Sequence, residues 1–167
     1  KQPDHPLDCG NSGTTARLLM GVVAPWPIKV EITGDESLKK RPMRRVIAPL
    51  MKMGVHFEPE AQENLPITEI GNPNLKAITY DAPMASAQLK TAVLLAGLGA
   101  EGETRVNEPA LSRNHTELML PEFGVDATSA YRSAMVQGPA TLKASEIDVP
   151  GDPSSAAFLI CAALLKR

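Results

Sequence analysis

The chain has 167 residues, 43% of them hydrophobic, which is enough apolar material to bury a core. Its formal net charge of -2 gives no overall basic field that would direct it to nucleic acid or to a membrane surface. The two cysteines, Cys9 and Cys161, are far apart in sequence, which argues against a disulfide framework or a zinc site and fits a reducing, cytoplasmic compartment.

In chain order, periodicity predicts a helix over 14–23, then a strand in "IKVEIT" and a second helix over 42–53. Pro42 suits the first helical position of that second helix and Gly54 its stop, with Val46, Ile47, Leu50 and Met51 as the buried stripe. Short strands follow in "VHFEP", "PITEIG" and "AITYD", separated by Pro, Asn and Gly turns. The order then recurs as a helix over 86–98, a strand "TRVNEP", a helix over 113–123, and strands in "VDATS", "AMVQG" and "LKASEIDVP". A last helix opens at "GDPSSAAF", with Asp152 and Ser154 as its cap. The longest apolar run, about 156–165, is too short to cross a membrane, and no signal peptide pattern opens the chain.

This order is an internal repeat. "LMKMGVHF" from Leu50 and "LPEFGVDA" from Leu120 share Leu, Gly and Val at the same spacing, 70 positions apart. "GTTARLLMGVVA" and "SAQLKTAVLLAGLG" stand 73 apart. The expected fold class is α/β (α+β): a single partial domain over 1–167, with units at roughly 13–83 and 86–150 and the opening helix of the next element at 151–167. Each unit reads as α-β-α-β-β-β or a rotated form of it. The chain starts at Lys1 rather than methionine and stops inside a helix-like run, so it is read as a piece of a longer protein.

The chemistry gathers where helices begin. In "GNSGTTAR", Asn11, Ser12, Thr14 and Thr15 are candidate caps, and Gly13 leaves backbone N–H groups open to an anion at the helix N-terminus. The stretch is not a Walker loop, and an ordinary capped helix explains it equally well. Lys39, Lys40, Arg41, Arg44 and Arg45 crowd the next helix start. A solvated face is the ordinary reading of such a run, but Pro42 would hold Arg41 beside a helix N-terminus as a fork for phosphate or carboxylate. Ser86, Gln88, Ser112, Arg113 and His115 begin the matching helices of the second unit. His115 has no histidine or cysteine at ligand spacing, so it reads as structural rather than metal-binding.

"LDCGNSGTTARLL", "TGDESLKKRPM", "SAQLKTAVLLAGL", "SRNHTE" and "VPGDPSSAAF", in this order, resemble the 5-enolpyruvylshikimate-3-phosphate synthase family. The resemblance implies an inverse α/β barrel of the enolpyruvyl transferase type, built from repeated helix-and-sheet units. It also implies transfer of the enolpyruvyl group of phosphoenolpyruvate to the 5-hydroxyl of shikimate 3-phosphate, through a tetrahedral intermediate, with release of phosphate. Carried over by position, Gly13 and Arg41 correspond to phosphoenolpyruvate contacts, and Ser86, Ala87, Gln88 and Arg113 to shikimate 3-phosphate contacts. Asn114 stands where the family usually has Asp. No metal or organic cofactor is implied, nor a nucleic-acid or membrane partner. The catalytic groups of the family fall in segments with no counterpart here, so this piece alone is expected to be inactive and to need the remainder of the enzyme. Two other readings stay open: a non-catalytic anion-binding module, and a relative of UDP-N-acetylglucosamine enolpyruvyl transferase.

Overall fold

A computed structural model describes residues 1–60 and 62–166. The first unit contains β1 (Leu7–Asp8), α1 (Gly13–Val23), β2 (Lys29–Thr33), α2 (Glu36–Lys39), α3 (Arg44–Met53), β3 (His56–Glu58) and β4 (Ile67–Ile70). The second contains β5 (Thr79–Asp81), α4 (Ala87–Gly97), β6 (Gly102–Asn107), α5 (His115–Met119) with a 3-10 turn (Leu120–Phe123), β7 (Ala127–Ala130) and β8 (Ser133–Gly138). A last helix, α6 (Pro153–Leu165), follows.

Both units build four-stranded sheets of the same design, in the orders β1-β2-β4-β3 and β5-β6-β8-β7. In each, the opening strand runs parallel to the second and the other pairings are antiparallel. The parallel pair needs a crossover, which α1 and α4 supply. The unit is therefore β-α-β-α-β-β, the rotated form, with the strand at 79–81 pairing into the second sheet. The same stop recurs as well: α3 ends on Gly54 at φ 105° and the 3-10 turn on Gly124 at φ 76°, left-handed positions where a side chain would be strained.

The core lies between the sheets. Helices α1, α3 and α4 pack on one another, with α1 against β2, α3 against β3, and α4 against β6 and β8. The burial of α4 is nearly all-round, including Leu89, Ala92, Val93, Leu94 and Ala96, and this explains why its apolar residues show no one-sided pattern. Close packing of α1 on α4 depends on Gly21, where an added Cβ would sit 2.2 Å from the Ala92 carbonyl oxygen.

Several expectations change. Helix α3 starts at Arg44 behind Met43, so Pro42 lies outside it rather than at its first position. Its stripe is Val46, Ile47, Leu50 and Met53, while Met51 is exposed, because the last turn leans on β3. The helix expected over 113–123 is a five-residue helix continued by a 3-10 turn; Pro121 lacks the N–H that an α-helix would use. "LKASEIDVP" alternates like a strand but forms none: its residues are exposed, and apart from a bond from Lys143 N–H to the Phe123 carbonyl at 2.8 Å it has no ladder partner among the described residues. The short β1 and α2 were not anticipated.

Candidate functional site

At the start of α1, the Ser12 hydroxyl accepts the Thr15 N–H at 3.1 Å and so caps the helix. Thr14, expected as a cap, instead offers its hydroxyl to α4: Gln88 Nε2 donates to it at 2.7 Å. One turn further on, Arg17 is 4% exposed. Its Nη1 donates to the Gly13 carbonyl and to Gln88 Oε1, both at 3.2 Å, and its Nη2 to the Pro42 carbonyl at 3.0 Å. The Gln88 amide is thus held at both ends, by a cation on its oxygen and a hydroxyl on its nitrogen. Burial, then the nearby charges of Arg45 and Arg41, lower the pKa of Arg17 from the ordinary arginine value.

Arg41 is turned to a different helix from the one expected. Its Nη2 donates to Asn11 Oδ1 at 3.0 Å, and Asn11 Nδ2 to Asp35 Oδ2 at 2.7 Å, while Asp35 Oδ1 caps α2 through the Leu38 N–H at 2.7 Å. The hydrogen bonds from Asn11 and Leu38 hold the Asp35 carboxyl below its usual range. Because α2 turns the chain back, the guanidinium stands over the first turn of α1 rather than α3. A Cβ on Gly13 would lie 3.4 Å from Arg41 Nη1 and 2.7 Å from Arg17 Nη1. The sum of helix dipole and guanidinium anticipated at α3 is realised at α1.

Ser86 caps α4, its hydroxyl accepting the Leu89 N–H at 3.3 Å. Beside it opens a cleft of about 510 Å³, with Ser86, Ala87 and Gln88 on one wall, Ser112 and Arg113 on another, and Arg45 completing the rim. A second hollow of about 420 Å³ adjoins it, sharing Ala87, Gln88 and Arg113, with a floor of apolar groups such as Leu18, Leu95 and Phe123. His115 lines this second hollow.

The six residues singled out in the sequence therefore fall in one neighbourhood. Gly13 and Arg41 meet at the start of α1; Ser86, Ala87, Gln88 and Arg113 surround the cleft; Arg17 and Thr14 join the two groups through Gln88. The start of α6 lines neither hollow; Asp152 caps it by accepting the Ser154 and Ser155 N–H groups, and none of its residues is buried.

The geometry adds residues that the sequence reading passed over. Arg45, grouped with the solvated charges, lines the cleft. Arg17 carried a usable signal: it occupies the buried stripe of α1 with Gly13, Ala16, Met20 and Gly21, where an unpaired charge would be costly. Lys90 is buried on α4 between Glu108 at 2.9 Å and Glu117 at 2.8 Å. Among the described residues, no three His, Cys, Asp or Glu side chains are grouped as metal ligands, and no helix is long and apolar enough to cross a membrane.

Fold and site together define an α/β protein of repeated units whose paired helix N-termini stand beside an arginine-lined cleft. The family model described as EPSP synthase (3-phosphoshikimate 1-carboxyvinyltransferase) matches residues 1–167, and the chain belongs to that family. It is 50% identical over 169 residues to the 3-phosphoshikimate 1-carboxyvinyltransferase of Brucella abortus biovar 1 (strain 9-941), covering 98% of this chain and 38% of that relative. It is 48% identical over 164 residues to the enzyme of the same name from Streptococcus uberis, with the same coverage of 98% and 38%. The chain thus spans about 38% of the length of these curated relatives. A solved structure of EPSP synthase from Acinetobacter baumannii superposes with a TM-score of 0.88 at 45% identity, over 96% of this chain and 36% of that one. The fold is that of the enolpyruvyl transferases.

Proposed function

We propose that this chain forms part of the substrate site of an enzyme that joins the enolpyruvyl group of phosphoenolpyruvate to the 5-hydroxyl of shikimate 3-phosphate and releases phosphate. The observation that carries the reading is the joining of two helix N-termini, α1 and α4, by the Arg17–Gln88–Thr14 bonds beside a cleft rimmed by Arg45 and Arg113. Both substrates are multiply anionic, and helix N-termini with guanidinium groups favour such ligands. In this reading Gly13 and Arg41 face phosphoenolpyruvate, and Ser86, Ala87, Gln88 and Arg113 hold shikimate 3-phosphate.

This segment's share of the chemistry is binding and orientation. Fixing the 5-hydroxyl against the enol carbon makes a two-molecule encounter into a local one, and the cations offset charge that grows on the phosphate leaving the tetrahedral intermediate. No carboxylate lines the 510 Å³ cleft among the described residues, so proton transfer is assigned to the remainder of the enzyme. The chain is one partial domain: two units and the opening helix of a third. Cys9, buried, and Cys161, exposed, are free thiols, which suits a cytoplasmic setting.

Calorimetric titration of the chain with shikimate 3-phosphate tests the reading. Heat is expected with the wild type, and a loss of affinity of about 10-fold or more in Arg113→Ala, from a lost hydrogen bond to a charged group. Binding of UDP-N-acetylglucosamine in its place, or binding of inorganic phosphate as tight as that of shikimate 3-phosphate, would refute it.

A further inference from the structure

We propose that Glu108 is a positioning residue whose carboxylate holds the two walls of the 510 Å³ cleft at the spacing shikimate 3-phosphate requires; this rests on the site reading given above.

The residue is 6% exposed, just past the end of β6, and its backbone is fixed on both sides: its N–H donates to the Arg132 carbonyl at 2.8 Å, and Arg132 Nε donates to its carbonyl at 3.0 Å. The side chain then gathers three donors. Oε1 accepts the Ser86 N–H at 3.1 Å; Oε2 accepts Lys90 Nζ and the Ser112 hydroxyl, both at 2.9 Å. Ser86 and Ser112 belong to opposite walls of the cleft, the second immediately before Arg113. One carboxylate therefore sets the distance from the first turn of α4 to the loop that carries Arg113.

The charge is needed, and so is its concealment. All three groups facing Glu108 are donors, so a neutral amide would turn its own NH2 against at least one of them. A bare carboxylate behind an anion site would repel the ligand. Here Lys90, 4% exposed, lies between Glu108 and Glu117 and offsets one of the two buried carboxylate charges. Burial pushes the Glu108 carboxyl up and the Lys90 ammonium down, but the bonds from Lys90, Ser112 and Ser86 leave Glu108 lowered and those to Glu117 and Glu108 leave Lys90 raised, so both stay ionised near neutral pH.

The test is steady-state kinetics on the protein extended to the full length of its relatives, with each substrate varied in turn. Glu108→Gln is expected to raise KM for shikimate 3-phosphate about 10-fold or more, the loss expected when a buried charged acceptor is removed, while KM for phosphoenolpyruvate stays within about 2-fold. Ser112→Ala removes one of the three bonds without stranding a charge and is expected to raise the same KM about 3-fold, so the question stays answerable if Glu108→Gln does not fold. A parallel rise of both KM values, or none with either variant, overturns the positioning role. Arg113→Ala separates the two ideas: if it raises KM for shikimate 3-phosphate while the other variants do not, only the role of Glu108 falls; if it too has no effect, the site reading falls with it.

Discussion

Gln88 Nε2 lies 2.7 Å from the Thr14 hydroxyl, a bond that joins the first turns of α4 and α1 across 74 positions of sequence. Arg17 holds the other end of the same amide, so each helix start fixes the other. Thr14→Val keeps the shape and removes the acceptor. Thr14 is exposed, so stability is expected to change by less than about 0.5 kcal/mol, while affinity for shikimate 3-phosphate falls about 3- to 10-fold, measured by calorimetry beside a urea melt.

Gly13→Ala places a methyl 2.7 Å from Arg17 Nη1 and 3.4 Å from Arg41 Nη1. Both neighbours are side-chain ends rather than backbone, but Arg17 is buried and tied to Gly13, Gln88 and Pro42, so the fold survives with a loss of about 1–2 kcal/mol. The guanidinium groups move instead. KM for phosphoenolpyruvate in the full-length protein is expected to rise, with KM for shikimate 3-phosphate changed less; an unchanged KM for phosphoenolpyruvate would count against the role given to this helix start.

Gly21→Ala meets backbone, the Ala92 carbonyl oxygen at 2.2 Å, which cannot swing aside. Parting α1 from α4 is expected to cost about 2–3 kcal/mol, read as a lower urea midpoint, and to weaken the Gln88 to Thr14 bond at the far end of the same helix pair.

Glu69, on β4, is fully buried, and neither of its carboxylate oxygens has a hydrogen-bond partner among the described residues. Burial raises its pKa well above the ordinary value of 4.5. The folded chain therefore holds a proton that the unfolded chain gives up, so this group's contribution falls as pH rises above 4.5 and stops falling only past the raised folded value. Glu69→Leu is expected to be the more stable form at pH 7, by about 1–3 kcal/mol, with the advantage shrinking toward pH 4 in urea melts taken across the range.

Lys90→Met leaves Glu108 and Glu117 buried against each other without their shared cation. A loss of about 3–5 kcal/mol is expected by urea denaturation, the usual cost of removing one partner from a buried ion group.

Much of the fold was legible because it is written twice. Helices α1 and α4 each follow a serine cap, are eleven residues long and are mostly apolar, and the Gly54 and Gly124 stops fall at matching places. What escaped was too short or too distant to leave a period. Strand β1 has two residues and α2 four, below the length at which alternation or a helical stripe can register. The four-residue α2 mattered most, since it sends Arg41 back to α1, a destination that depends on how the chain turns rather than on the neighbours of Arg41 in sequence. The residues of the cleft could be named from their caps and family motifs. The buried ties behind them could not, because Lys90 and Glu108 meet only once α4 has crossed to β6.

Arg17, Arg41, Arg45 and Arg113 are drawn to one side of a chain whose formal net charge is -2. Arg41, Arg45 and Arg113 form a local cationic cluster on a chain with no overall positive charge, so an approaching polyanion is steered toward this face before any bond forms. That pull fades over the Debye length, about 10 Å at 0.1 M salt. Ionic strength should therefore govern the rate of capture far more than the rate of release.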